Sequence, residues 1–146
     1  MQALDPRIKG SLDGLRESVG CDVSALAVID RRERLTRWIG ASGNRNERYS
    51  SIVVGHGQGI EGEAAKVGRG LAWSFEESPK YAGYSILLTE RLMSAYVVPV
   101  QAAGECVGIL LVGDRSNAAY GPEIRGLVAG AAERIAEWLP NLLRWS

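Results

Sequence analysis

The fold is decided by the stretch Gly57-Gln58-Gly59-Ile60-Glu61-Gly62-Glu63-Ala64-Ala65-Lys66-Val67-Gly68, in which a glycine-rich turn leads directly into a short helical pattern. Glycine reaches backbone angles that other residues avoid, so the chain can turn sharply here and approach a ligand closely. The first amides of the predicted helix, at Ile60, Glu61 and Gly62, have no carbonyl partner within the helix. Free amides and the positive end of the helix dipole favour a small anion. The stretch therefore predicts an anion-binding sensor site.

Composition limits the classes of function. The chain has 146 residues, of which 46% are apolar and 23% charged, as in an ordinary globular protein. We expect one domain over residues 1–146, because no linker, charge block or repeat divides the sequence. Lysine plus arginine and aspartate plus glutamate number 17 each, so the formal net charge is zero. That balance argues against nucleic acid or an anionic membrane as the main partner, since both select a basic surface.

The ends and apolar runs of the sequence carry no targeting signal that we recognise. The segment Met1-Gln2-Ala3-Leu4-Asp5-Pro6 lacks the basic region and apolar run of a signal peptide. No apolar run approaches the roughly 20 residues needed to span a bilayer. We therefore expect a cytoplasmic protein.

Short strands and helices follow one another along the chain, punctuated by 18 glycines. Asp5 and Pro6 are typical of a helix start. The predicted strands cover residues 24–30, 35–41, 49–54, 70–74, 95–100 and 107–112. Residues 76–83 are predicted as a loop and residues 84–93 as a short helix or helical turn. A long apolar stripe predicts a final helix, which Pro140 is expected to kink or end.

This order of elements predicts an α+β fold of the sandwich type. Two hairpins imply a central antiparallel sheet of five or six strands. The amphipathic N- and C-terminal helices would cover one face of the sheet. The segment between the strands would cover the other face and form a ligand pocket.

The pattern resembles a GAF domain over nearly the whole chain. The residues that carry the resemblance are Gly57-Gln58-Gly59-Ile60-Glu61-Gly62 with Gly68, Ala95-Tyr96-Val97-Val98-Pro99-Val100, and Val107-Gly108-Ile109-Leu110-Leu111-Val112-Gly113. The resemblance implies the GAF fold. It does not identify the ligand, because GAF domains bind many small molecules or none.

A narrower resemblance lies in Tyr84-Ser85-Ile86-Leu87-Leu88-Thr89-Glu90-Arg91-Leu92-Met93-Ser94-Ala95, which is similar to a segment of the stand-alone GAF nitrate receptors of the bacterial Nre system. Those receptors couple nitrate to an oxygen-sensing histidine kinase. The resemblance implies nitrate as the ligand, with no further cofactor, and a sensor histidine kinase as a partner. Carried over by position, the ligand-binding residues are Trp38, Ile60, Glu61, Tyr84, Ser85 and Ile86, with amides from Ile60, Glu61 and Ile86 and aromatic walls from Trp38 and Tyr84.

Two positions depart from the receptor pattern. Ser85 stands where the family favours proline, and Glu61 stands where a small residue is expected. A carboxylate beside an anion is repulsive unless it points to solvent. Ordinary packing is the alternative role for the two aromatic residues, since a tryptophan in a strand or a tyrosine after Gly83 also fits against a sheet.

We expect no enzyme, because the sequence offers no catalytic constellation. His56 is the only histidine and has no triad or metal partners in the pattern. The alternative is a free methionine sulfoxide reductase or another redox GAF enzyme, but the pocket cysteines of those reductases are missing between Gly68 and Ala95. Cys21 and Cys106 are either small apolar fillers or a redox pair. A tetrapyrrole or cyclic-nucleotide GAF domain, or an interaction module with no ligand, are further alternatives.

The final helix has a longer apolar stripe than a small core requires. It runs from Ile124 to Leu142, with Trp138 and Trp145 near its end. The simpler explanation is that the apolar stripe packs on the sheet and on the first helix. The alternative is an interface, because exposed aromatic patches mark partner surfaces. We therefore expect a homodimer through the terminal helices, or a kinase docking face.

Overall fold

A six-stranded antiparallel sheet forms the centre of the part of the chain that the computed structural model describes, residues 5–82 and 85–143. The helices are α1 (Pro6–Val19), α2 (Gly59–Val67), α3 (Ile86–Thr89) and α4 (Pro122–Leu143). The strands are β1 (Val23–Asp30), β2 (Leu35–Ser42), β3 (Val53–Gly55), β4 (Leu71–Ser74), β5 (Ser94–Ala102) and β6 (Glu105–Asp114). Single 3-10 turns cover Arg48–Ser51 and Pro79–Ala82. The predicted α+β architecture is confirmed.

The strand order across the sheet is β3-β2-β1-β6-β5-β4, and every neighbouring pair is antiparallel. Strand β6 pairs on one side with β1 of the hairpin β1–β2. On its other side it pairs with β5, its own hairpin partner. The first and last long strands are therefore neighbours. On one face of the sheet, α1 packs over β1 and β2, and α4 packs beside it over β5 and β6.

Side chains that alternate along the central strands divide the core into two layers. Leu26 on β1 and Leu110 on β6 point toward α1 and α4, where they join the helix-side cluster. Their neighbours Ala27 and Ile109 point to the opposite face, toward α2 and α3. The expected arrangement, with the terminal helices on one face and the site segment on the other, is confirmed.

The prediction of a strand over residues 49–54 is wrong for its first half. Arg48–Ser51 form a 3-10 turn, in which Ser50 Oγ donates to the Glu47 carbonyl at 2.8 Å. Serine side chains that bind nearby backbone compete with a strand ladder in this way. Only the three residues of β3 pair with β2.

Two helix predictions also need correction at their ends. The predicted helical segment 84–93 contains a helix of only four residues, α3, and Arg91 after it has a positive φ of 53°. Helix α4 does not end at Pro140 but continues to Leu143. A proline within the last turn removes few of the helix's own hydrogen bonds, which explains why the helix survives it.

A buried ion pair ties three connections together beside α3. Glu90 has no exposed surface, and its Oε1 accepts from Arg115 Nη2 at 2.7 Å and from the Arg45 amide at 2.7 Å. Arg115 Nε also donates to the Glu90 carbonyl at 2.9 Å. The pair therefore joins the end of α3 to the segments that follow β2 and β6.

We predict that Arg115→Met destabilises the protein by about 3 kcal/mol, because the substitution leaves Glu90 as a buried charge without its cation. Urea denaturation measures the change in free energy of unfolding. The matched control is Arg31→Met, which removes the exposed ion pair to Glu105 and should cost about 0–1 kcal/mol. Equal losses in the two variants would contradict the structural role of Glu90.

Candidate functional site

The glycine turn before α2 has a geometry that only glycine allows. Gly57 and Gly59 have φ angles of +76° and +69°, in the left-handed region. Gly62 is required for a different reason, since a Cβ there would lie 2.2 Å from the carbonyl carbon of Gly57. The first turn of α2 is therefore packed directly on the backbone of the turn that precedes it.

The start of α2 passes from exposed residues, Gln58 and Gly59, to buried ones. Its first intrahelical hydrogen bond runs from the Gly62 amide to the Gln58 carbonyl at 2.9 Å, so the amides of Ile60 and Glu61 have no carbonyl partner in the helix. Gln58 makes no side-chain cap. Ile60 and Glu61 are both buried. The side chains of two residues of the predicted donor set are thus buried, while Gln58 and Gly59 immediately before them are exposed.

A β-bulge in β2 brings Trp38 to this end of α2. In the register with β1, Ala27 faces Trp38 while Leu26 faces Gly40, so Ile39 is the extra residue. A bulge changes which side chains share a face. Trp38 joins the site-side cluster, while Ile39 packs on the helix side. Trp38 is 2% exposed, and its indole Nε1 donates to Glu61 Oε2 at 3.0 Å.

Glu61 is buried beneath Trp38, with 1% of its surface exposed. Its second carboxyl oxygen, Oε1, has no hydrogen-bond partner among the described residues. This oxygen lies 2.7 Å from the point that a Cβ on Gly59 would occupy, so the side chain folds back along the helix start. The Glu61 carboxylate therefore does not point to solvent. In its ionised form it would repel an anion bound at this site.

The environment of Glu61 favours the neutral carboxyl. Burial raises the pKa of Glu61, and hydrogen bonds from its own backbone amide and from Trp38 oppose the rise only in part. No charged group is among these causes. A buried carboxyl that lacks a cation resists ionisation, because the charged form loses more hydration than the neutral form does.

The α3 segment contributes structure to the same side of the sheet. Ser85 caps α3, since its Oγ accepts from the Leu87 amide at 3.1 Å and donates to the Tyr81 carbonyl at 3.1 Å. Ile86 is fully buried in the cluster that contains Trp38 and Ile60. Tyr84, the second predicted aromatic wall, lies outside the described residues.

The structure adds two aromatic residues that sequence reasoning did not assign to the site. Tyr49 and Trp73 are buried in the same cluster as Trp38. The sequence predicted a strand where the chain makes a 3-10 turn, so Tyr49 was not assigned to the site. The burial of Glu61 did have a sequence signal, because Glu61 and the fully buried Ala64 are three residues apart and share a helix face.

The two cysteines lie at opposite ends of β6. Cys106 is near its start, while Cys21 precedes Asp22, whose amide donates to Asp114 at its end. A ten-residue strand spans about 30 Å. A disulfide needs Cα atoms within about 7 Å, so the redox-pair interpretation is wrong. Burial raises the pKa of Cys21 to about 11 and raises that of Cys106, whereas reactive thiols have lowered values.

A cavity of about 290 Å³ lies on the other side of the sheet, between α1 and α4. Small residues of α1 line it together with Leu127 and Arg134 of α4. It is separated from Trp38 and Glu61 by the sheet. Across residues 5–82 and 85–143 there is no group of three or more metal-ligating side chains. No helix in that part of the chain is long and apolar enough to cross a membrane.

Solved structures with the same architecture place this fold among GAF domains. The GAF domain of an Acinetobacter phosphoenolpyruvate-protein phosphotransferase superposes with a TM-score of 0.83 over 99% of this chain and 88% of that chain, at 10% identity. The chain therefore has a GAF-type fold. No protein-family model and no curated protein matches the sequence.

Two further solved structures are similar to this chain. A Staphylococcus aureus NreA protein mutated in its nitrate-binding site is 29% identical, covering 77% of this chain and 86% of that chain with a TM-score of 0.70. A free methionine-R-sulfoxide reductase from Neisseria meningitidis, in complex with its substrate, is 17% identical, covering 90% of this chain and 75% of that chain with a TM-score of 0.74. The neighbours thus include both a nitrate-binding protein and an enzyme.

We predict that Glu61→Gln removes a pH dependence from the stability of the protein. Because the folded-state pKa of Glu61 is raised, the folded protein binds more protons than the unfolded chain above the ordinary value of 4.5. Wild-type stability should therefore fall relative to Glu61→Gln as the pH rises from that value through the folded-state pKa. Urea denaturation at a series of pH values measures the difference. Glu63→Gln on the same helix is the control, and its free energy of unfolding should vary with pH as that of the wild type does.

Proposed function

We propose that this chain, as one domain over residues 1–146, is a sensor module that binds nitrate at the start of α2. The observation that carries the proposal is the start of α2, where the amides of Ile60 and Glu61 have no carbonyl partner in the helix and the buried carboxyl of Glu61 accepts from the indole of Trp38. Amide donors, a helix dipole and an aromatic face in one buried place are the elements that a small anion requires. The Tyr84–Ile86 segment would close the site from the α3 side.

Nitrate suits this site better than a larger or more hydrated anion. It is flat, monovalent and weakly hydrated, so a few amide donors hold it without a full positive charge. Trp38, Ile60 and Ile86 are all buried in one packed cluster, which favours a small ligand. The similarity to a NreA protein at 29% identity supports the same ligand class. The neutral form of Glu61, which burial favours, removes the charge that would oppose an anion.

The proposed output is the modulation of a partner sensor histidine kinase. A sensor acts on a partner only if the partner binds its two ligand states with different affinity. The outer surface of α1 and α4 is the proposed contact surface, because it contains a cavity and the 38% exposed Leu127 on the face opposite to the ligand site. The same surface is the proposed homodimer interface.

A redox enzyme is the competing function. The neighbours include a free methionine-R-sulfoxide reductase. Both thiols of this chain have raised pKa values, which leaves little thiolate for attack on a sulfoxide. Thiol-dependent turnover of free methionine sulfoxide by the purified protein would favour the enzyme over the sensor.

We predict that nitrate raises the unfolding temperature of the protein more than chloride does at equal ionic strength. A ligand at about 100 times its Kd adds about 2.7 kcal/mol to stability. For a chain of this length the midpoint should rise by roughly 5–10 °C. Gly62→Ala should abolish the nitrate-specific rise, because its Cβ would displace the Gly57 turn from the helix start.

The control for Gly62→Ala is Gly126→Ala on α4, where an added Cβ meets no atom within 4 Å. This variant should keep the full nitrate response. Trp38→Phe provides a second site variant that keeps an aromatic ring and loses the indole donor. A nitrate response equal to that of chloride in the wild type, or a full response in Gly62→Ala, would contradict the proposed site.

We predict that Leu127→Glu shifts the protein from dimer to monomer in analytical ultracentrifugation, because it places a charge on the proposed α1–α4 interface. Val53→Glu, a similarly exposed apolar position on the edge strand β3, is the control and should leave the dimer intact. A monomeric wild-type protein at all concentrations would exclude the homodimer. The kinase would then be the partner to test on this surface.

A further inference from the structure

Glu61 differs from the other buried carboxyl group of this face in having no cation. Glu61 Oε1 and Glu90 Oε2 are buried oxygens without a hydrogen-bond partner among the described residues. Glu90 is neutralised through its other oxygen by Arg115, at 2.7 Å. Within residues 5–82 and 85–143, the only side-chain hydrogen-bond partner of Glu61 is the neutral indole N–H of Trp38. The two carboxyl groups are therefore in different electrostatic situations, and only Glu61 lies at the proposed anion site.

A carboxylate and an anion together would place two negative charges in one buried site. Neither charge would have a cation, and the surrounding side chains of Ile60, Ile86 and Trp38 are buried in an apolar cluster. Charges in such surroundings are costly unless they are paired. Anion binding beside an ionised Glu61 is therefore excluded on electrostatic grounds, and the carboxyl must be neutral in the bound state.

A neutral carboxyl group at this position has a role of its own. It carries one O–H donor and keeps acceptor capacity on the other oxygen. Oε2 already accepts from Trp38, which leaves the proton for Oε1. Oε1 lies beside Gly59, at the start of the helix whose Ile60 amide has no carbonyl partner in the helix. The acid proton and the Ile60 amide proton thus belong to one set of donors.

Resting on the proposed function, we infer that the Oε1–H of Glu61 donates a hydrogen bond to the bound anion, and that one proton is taken up with each anion whenever Glu61 is ionised beforehand. Glu61 is then a specificity-determining residue of the site. The site binds an anion only together with a proton, so the occupancy of the module depends on both the anion concentration and the pH. No bond other than the O–H bond of the acid forms in this step, and the proton comes from solvent.

The other titratable groups around the site do not replace Glu61 in this role. The site-side cluster and its border contain Tyr49, Tyr81, Cys106 and the paired Glu90. The segment of the helix and its turn contributes His56, Glu63 and Lys66, of which His56 and Lys66 are exposed. Burial raises the pKa of Tyr49 and of Cys106, so both remain neutral. The groups that act on Glu61 are its own amide and Trp38.

The inference is tested by nitrate titration calorimetry from about pH 5 to about pH 8, in paired buffers that differ in protonation enthalpy. The buffer dependence of the heat gives the number of protons taken up per nitrate. At pH values at which Glu61 is ionised in the nitrate-free protein, proton uptake should approach one proton per nitrate. In that range the Kd for nitrate should rise about tenfold per pH unit. Glu61→Gln keeps a donor and an acceptor but cannot ionise, so its Kd should be independent of pH. Glu63→Gln should behave as the wild type does.

If Glu61 is already neutral before nitrate binds, nitrate binding takes up no proton. Infrared difference spectroscopy of the wild-type protein then tests the inference. The nitrate-bound protein should show the carbonyl stretch of a protonated carboxyl group, which shifts when nitrate is added and is lost in Glu61→Gln. A nitrate-bound wild type without that band overturns the inference, as does an equal pH dependence in Glu61→Gln. If folded wild type and Glu61→Gln both fail to bind nitrate at every pH, the proposed function itself fails.

Discussion

The candidate site depends on one hydrogen bond, from the indole Nε1 of Trp38 to the buried carboxyl of Glu61. It joins the start of α2 to β2 and fixes which carboxyl oxygen is engaged. The other oxygen is left at the helix start, beside Gly59. Because the donor is neutral, it stabilises the carboxylate far less than an arginine would. In the proposed function, the protonation state of this one group therefore determines whether an anion can bind to the donors around it.

Two interruptions of regular structure hold that hydrogen bond in place. The bulge at Ile39 turns Trp38 toward the site while Gly40 stays on the side of α1, where a Cβ would lie 2.5 Å from the Ile8 side chain. On the other partner, Gly62 lets α2 begin directly on the Gly57 turn. A regular β2, or a helix start with an ordinary residue at position 62, would separate the indole from the carboxyl. The bulge in β2 lies at the candidate site, as is common for functional positions, and a second register shift lies in the pairing of β5 with β6 after Val100.

The sequence was sufficient for features that depend on neighbouring residues. The cap at Asp5, the turn at Gly57 and the hairpin between β5 and β6 follow from local chemistry, and the two-layer arrangement follows from alternating apolar residues. The contact between Trp38 and Glu61 was not predictable in this way, because it joins residues far apart in the chain and requires the bulge. The 3-10 turn at Tyr49 was missed because this tyrosine and the apolar residues 52–54 after it also fit a strand. Family resemblance proposed the candidate site residues, but it implied a small residue at position 61 and so gave no account of a buried acid.

The sheet relates the proposed ligand site to the proposed partner surface. Its central strands carry site-side and helix-side residues in alternation, so both layers share the same backbone. At Gly108 the contact is especially close, since a Cβ would lie 2.6 Å from the Ala27 carbonyl and 3.2 Å from Leu139 of α4. Close-packed interiors respond to a change in one layer by shifting neighbours rather than by absorbing it. In the proposed mechanism, a site that holds an anion and an empty site differ in charge and packing on the strands that support α4. That difference is the physical basis on which a partner bound to α1 and α4 could distinguish the two states.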